Sequence, residues 1–174
     1  GGWRLVGGKT ETGVSNRLDE KGGQKLAAEG GEVIEWARWG LKPLIKFARR
    51  MGIEWHVLVD GDDAGKKYAA TVRRLLNDDR QQEREHLTAL PAVGMEHVLY
   101  REGVDDVYFR VAQLPPKVPM NTRRIISKAI QRSSKPDLAI EVAAEARRRG
   151  VEAIPPLLRK MFSRVLWLAR GRAD

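Results

Sequence analysis

Two carboxylates, Asp60 and Asp62, flank a glycine directly after the short apolar run Val57-Leu58-Val59. Helix-compatible residues follow at once, in Ala64-Gly65-Lys66-Lys67-Tyr68. That pattern reads as a buried strand delivering two acids to its carboxyl end, the edge at which open α/β sheets gather ligands. Paired acids with little steric bulk between them suit a hard cation such as Mg²⁺ or Mn²⁺, which takes oxygen ligands. The same residues also suit a plain strand-to-helix turn, in which Asp62 or Asp63 caps the helix that follows. Both readings stand on pattern alone.

Other motifs carry less. Gly7-Gly8-Lys9-Thr10 resembles the end of a phosphate-binding loop, but the glycine required five positions before Gly8 is Trp3, so the loop is too short to wrap a phosphate. His56, His86 and His97 show no metal-ligand spacing, and His56 alternates with strand residues as a packing residue would. No serine sits in a glycine-flanked elbow, which argues against covalent hydrolase chemistry. An aspartyl-nucleophile phosphatase would follow its second acid with Gly-Thr on the first strand, whereas Asp63-Ala64 follows here on the third.

The elements that must position these acids alternate. Trp3 to Val6 reads as a first strand broken by Gly7-Gly8, and residues 11 to 22 as a poor helix. Glu32 to Trp36 alternates polar and apolar side chains and predicts a second strand. A helix over Lys42 to Met51 carries Pro43 near its first turn and ends at Gly52, the residue best suited to close it. The third strand covers 55 to 59 and a fourth lies near Leu87 to Leu90. This β-α order predicts a mostly parallel sheet flanked by helices, an α/β fold. After residue 94 the pattern becomes helical: Met95 to Arg101, Asp105 to Ala112, then 121–132, 136–149 and 155–170, with the rigid linker Leu114 to Pro119 between. The expected division is an α/β domain over 1–113 and a small helical subdomain over 114–174.

Composition narrows the partners. The 174 residues carry 32 Lys and Arg against 23 Asp and Glu, a net charge of +9, which favours a polyanion such as nucleic acid. Arg123, Arg124, Lys128 and Arg132 lie close together and could track a DNA backbone, although a charge run on a helix also serves as a solvated face. The absence of cysteine excludes disulfides, thiolate metal sites and cysteine nucleophiles. No apolar run reaches the ~20 residues of a membrane span and no signal peptide is visible, so the expected location is the cytoplasm. A start at Gly1-Gly2 without methionine reads as a piece of a longer protein.

Taken together, the small-residue turn near Gly7-Gly8, the acidic pair in VLVDGDDAG with GKKYAATVRRLL after it, and the segments MEHVLY and RRIISKAIQRSSKPDLAIEV resemble the Toprim catalytic region of OLD (overcoming lysogenization defect) nucleases. The likeness is to class 2, in which this region ends in a helical subdomain. The resemblance implies a DNA endonuclease or nickase working by two-metal catalysis with Mg²⁺ or Mn²⁺, Ca²⁺ being a further candidate, and normally attached to an N-terminal ATPase domain. It implies that Asp60 and Asp62 are paired metal ligands, that Glu96 helps to hold a second ion, and that Lys135 lies near the scissile phosphate. Glu11 takes the place of the second acid of the first-strand motif. Where the family carries a leading acid on that strand, this chain has Gly7. The resemblance therefore also accommodates a catalytically impaired nucleic-acid-binding remnant.

Overall fold

The structure, a computed structural model, describes residues 4–8, 31–34 and 40–173. In chain order these form strands β1 (Arg4–Gly8) and β2 (Gly31–Ile34), helix α1 (Leu41–Arg50), strand β3 (Glu54–Val59), helices α2 (Asp63–Leu75) and α3 (Arg80–His86), and strand β4 (Leu87–Ala89). Helix α4 (Met95–Leu99) then passes through a kinked turn, Tyr100–Val104, into α5 (Asp105–Ala112). Helices α6 (Thr122–Arg132), α7 (Lys135–Arg149) and α8 (Pro156–Ala169) complete the described chain. All strand pairs are parallel, in the order β2-β1-β3-β4. The mixed α/β fold expected from the alternation is therefore present.

The sheet's two faces are covered by different parts of the chain, and β3 shows why. Its residues Trp55 to Val59 are all buried, as a strand covered on both faces of a parallel sheet must be. Successive side chains point to opposite faces. Trp55, Val57 and Val59 join a cluster with Leu41, Ile45, Val72 and Leu76 of α1, α2 and the turn after α2. Leu58, between them, joins the larger cluster built by α4 to α8, with Val107, Ile125, Leu138, Leu158 and Val165. Helices α5 and α6, on either side of residues 113 and 114, share that larger cluster. Helix α1 follows the same logic, burying Leu41, Ile45 and Ala48 on one stripe.

One expectation meets a difference, one helix was not expected, and two expectations reach beyond the described residues. The turn expected at Gly7-Gly8 is strand: Gly7 pairs with Ile34 and Val57, and Gly8 with Leu58. A strand flanked by ladders on both sides is held extended by its backbone hydrogen bonds, so glycine's weak strand propensity does not break it. Helix α3 lies in a segment where no apolar period announces it. Its Asp79 accepts hydrogen bonds from the backbone N–H groups of Gln81 and Gln82 at 2.8 and 3.1 Å and starts the helix from its cap. The second strand is described only to Ile34, and the poor helix expected over 11–22 lies outside the described residues.

Candidate active site

In this strand order the chain leaves β1 for β2 on one side and β3 for β4 on the other, so the crevice above β1 and β3 is the place where ligands bind in open α/β sheets. Asp60 stands one residue beyond β3 at that crevice and is half-buried. The loop after β3 is stitched to the loop after β4. Leu90 donates its N–H to the Val59 carbonyl at 2.9 Å, and Gly61 donates to the Ala92 carbonyl at 2.8 Å. Those bonds carry the chain after β4 toward Asp60 and set Gly94 and Glu96 beside it.

Gly94 is the hinge of the arrangement. A β-carbon at this position would lie 2.9 Å from Glu96 Oε2 and 4.0 Å from Asp60 Oδ1. Two carboxylates thus converge on the space that only glycine leaves open. Lys135 Nζ lies 3.7 Å from Glu96 Oε1. Local sequence explains why this lysine can reach. Ser134 caps α7, its hydroxyl oxygen accepting the Asp137 N–H at 3.1 Å, and Pro136 suits the first turn. Lys135 is therefore the first residue of the helix. Tyr108 fixes the other side of Glu96 by donating its hydroxyl to the Glu96 carbonyl at 2.8 Å. Burial pushes that phenol well above its ordinary pKa, which suits a structural hydrogen bond and not a nucleophile.

The structure gives Asp62 the capping task. Its Oδ1 accepts the Gly65 N–H at 2.6 Å and caps α2, as the turn reading of these residues expects. Gly65 itself is dictated by space, because a β-carbon there would fall 1.8 Å from the Asp60 carbonyl oxygen. Asp60, Glu96 and Lys135 are brought together; Asp62 sits one loop position aside and is partly committed to its cap. Glu11 lies outside the described residues. Among the described residues no three His, Asp or Glu side chains form a group that could enclose a metal ion, so the expected set of Asp60, Asp62 and Glu96 is not closed by these three alone. The reason is geometric: the cap pulls one Asp62 oxygen toward the helix, whereas the other two acids face Gly94.

Residues 2–62 match the family described as overcoming lysogenization defect protein-like, TOPRIM domain. Over those residues the chain is similar to an OLD-like Toprim domain. The C-terminal region of the Burkholderia pseudomallei OLD protein shares the fold at a TM-score of 0.68 and 14% identity, covering 95% of this chain and 97% of that one. The corresponding region of the Xanthomonas campestris pv. campestris OLD protein gives a TM-score of 0.68 at 15% identity, covering 98% and 96%. The chain is also 72% identical over 172 residues to the uncharacterized protein YbjD of Escherichia coli (strain K12), spanning 99% of this chain but 31% of that protein.

Sequence reasoning missed Gly65 and Gly94. A usable signal was present in both cases: Gly61 lies between the two acids and Gly65 follows them at the strand-to-helix turn, and Gly94 immediately precedes the Met95-Glu96-His97 segment. Closely spaced glycines beside acids mark backbone approaching backbone. On α6, Arg123, Arg124, Lys128 and Arg132 are all exposed. Arg124, Lys128 and Arg132 recur every fourth residue and so form one stripe, with Arg132 Nη1 donating to Gln113 Oε1 at 2.7 Å. Among the described residues no helix is long and apolar enough to cross a membrane.

Proposed function

We propose that this chain is the catalytic part of a metal-dependent DNA nuclease that hydrolyses phosphodiester bonds. The convergence of the Asp60 and Glu96 carboxylates on the space at Gly94, with Lys135 3.7 Å from Glu96, carries the reading. An all-oxygen donor pair fits a hard divalent cation such as Mg²⁺ or Mn²⁺. Asp60 and Glu96 would hold one ion, the free oxygen of Asp62 would reach the same region, and Glu11 would complete a second position. A bound ion pair supplies an activated water and charge for the leaving oxygen. Lys135 neutralises charge that develops on the phosphate as the bond breaks, and its contact with Glu96 keeps the ammonium at the site before substrate arrives. The stripe on α6 takes the phosphates of the duplex without reading sequence. Attachment to an N-terminal ATPase domain, membership of class 2, a cytoplasmic location and the division at residues 113 and 114 belong to the same reading.

A second reading, a nucleic-acid-binding remnant without turnover, is favoured by one observation: the described acids do not close a three-carboxylate group. Incubation of supercoiled plasmid with the protein and Mg²⁺, Mn²⁺ or Ca²⁺ separates the two. Nicking that vanishes in Asp60→Ala supports the nuclease. A gel shift without nicking supports the remnant.

A further inference from the structure

Next to the carboxylates lies a feature that the cleavage chemistry does not use. A groove of ≈ 730 Å³ opens between the loop after β4, the kinked turn and the start of α6. Its volume falls within the range of about 300–1,000 Å³ typical of small-molecule sites. Gly61, the neighbour of Asp60, forms part of its wall, so the groove begins where the proposed site ends. Arg101 and Arg123 line it from opposite elements, with Asp105 the one carboxylate among the lining residues. Neither arginine has an ion-pair partner among the described residues. Tyr100 presents an aromatic ring already braced at its back: its ring meets Tyr108 edge-on at 5.4 Å and Phe109 at 6.2 Å. His97 lines the same space, and its Nδ1 is sealed from solvent without a hydrogen-bond partner.

Two unpaired guanidinium groups beside a braced aromatic ring match one chemistry, a nucleotide with its phosphate on the arginines and its base against the ring. A paired duplex has no such free base. We propose that this groove is a subsite for one unpaired nucleotide of a DNA strand, seated next to the phosphate held near Asp60. The proposal rests on the nuclease reading for its choice of DNA and sharpens it to branched, overhanging or gapped substrates.

Fluorescence anisotropy with the full chain in EDTA tests it without chemistry, comparing a blunt DNA duplex with the same duplex bearing a single-stranded overhang. The overhang is expected to bind tighter by about tenfold, the worth of roughly one stacked base. Arg101→Ala removes a phosphate partner, and Val93→Trp, at an exposed groove residue, fills the space. Each should bring the ratio of the two affinities close to one while circular dichroism stays unchanged. A parent ratio near one overturns the proposal, and so does retention of the ratio in both variants once they are shown to fold. Because no cleavage enters the measurement, a preference without plasmid nicking upholds the subsite and removes the nuclease reading. Nicking without a preference does the opposite.

Discussion

Strand β3 and the turn directly after it carry polar groups that are built in opposite ways. His56, in its middle, is buried and fully partnered: its Nδ1–H donates to the Glu85 carbonyl at 2.7 Å, and its Nε2 accepts from the Thr88 hydroxyl at 2.8 Å. A carbonyl can only accept, so the bond to Glu85 settles which nitrogen carries the proton. His86 stacks on Trp55 with ring centroids 4.2 Å apart and bonds the Trp55 carbonyl through Nδ1 at 2.8 Å. Arg172 clasps the outside of this region, reaching Glu54 at 3.1 Å and Glu85 at 2.6 Å. Four residues along from His56, Asp60 stands half-buried with a second carboxylate aimed at the same glycine. Polar groups that satisfy one another hold a fold. The carboxylates at the strand end gather instead beside the ammonium of Lys135, 3.7 Å from Glu96.

The contrast can be broken from the catalytic end first. Asp60→Ala should lower metal-dependent nicking by about 10³-fold or more, roughly 4 kcal/mol of transition-state stabilisation, with a melting temperature close to the parent's. Isothermal titration with Mn²⁺ should lose its heat in the same variant; unchanged binding would remove Asp60 from the ligand set.

From the structural end, the expected effect is on folding and depends on pH. Burial, ahead of the opposing backbone bond to Glu85, lowers the His56 pKa from 6.5 to about 4. The neutral ring is the folded form, so its stabilisation is complete above about pH 6.5 and is lost as pH falls toward 4. The shift corresponds to about 3 kcal/mol over that window. Urea unfolding at pH 7 and pH 4.5 should show the loss, and His56→Leu should flatten it. An equally steep acid dependence in that variant would assign the effect elsewhere.

Gly94→Ala sits between these extremes. The added carbon would meet Glu96 Oε2 at 2.9 Å, and the far end of a flexible side chain can move. Activity should fall by about tenfold, 1.4 kcal/mol, with little change in stability. Gly65→Ala is the matched control for rigid neighbours, because its carbon would meet backbone at 1.8 Å; overpacking of that kind costs about 1–3 kcal/mol of folding stability or more. Thermal melts of the pair should diverge, and equal melting would show that the Asp60 backbone yields.

Smaller still is the response to charge reversal at Arg124 and Lys128, which should weaken binding to every DNA sequence alike and reduce the salt slope by about one for each lost phosphate contact. An unchanged slope would make the stripe a solvated face. Least of all is expected from Gly7→Glu. The first-strand comparison invites an acid there, but Gly7 pairs with Val57, three residues before Asp60. At about 3.3 Å per residue a glutamate would begin roughly 10 Å short, and nicking should not rise. A clear gain in rate would show that the acid reaches the site from that register.

Much of this was legible beforehand because it depends on period and punctuation. Alternation gave the parallel sheet, and Val57-Leu58-Val59 gave the buried strand. The convergence of Asp60, Glu96 and Lys135 was not readable from spacing, since these residues are far apart in sequence and meet only through the stitched loops; the family likeness supplied it. The cap at Asp62 was visible as one of two competing readings, and nothing in the sequence alone could choose between them. Helix α3 escaped because a polar seven-residue helix has no apolar stripe to betray it.

The hydrogen bond from Gly61 to Ala92 has a thermodynamic corollary. Gly61 adjoins the carboxylate on one side and walls the groove on the other, and the bond makes both loops a single mechanical part. A cation drawing on Asp60 and a strand pressing into the groove act on the same few backbone atoms. Whatever factor the first ligand imposes on the affinity of the second, the second must return to the first.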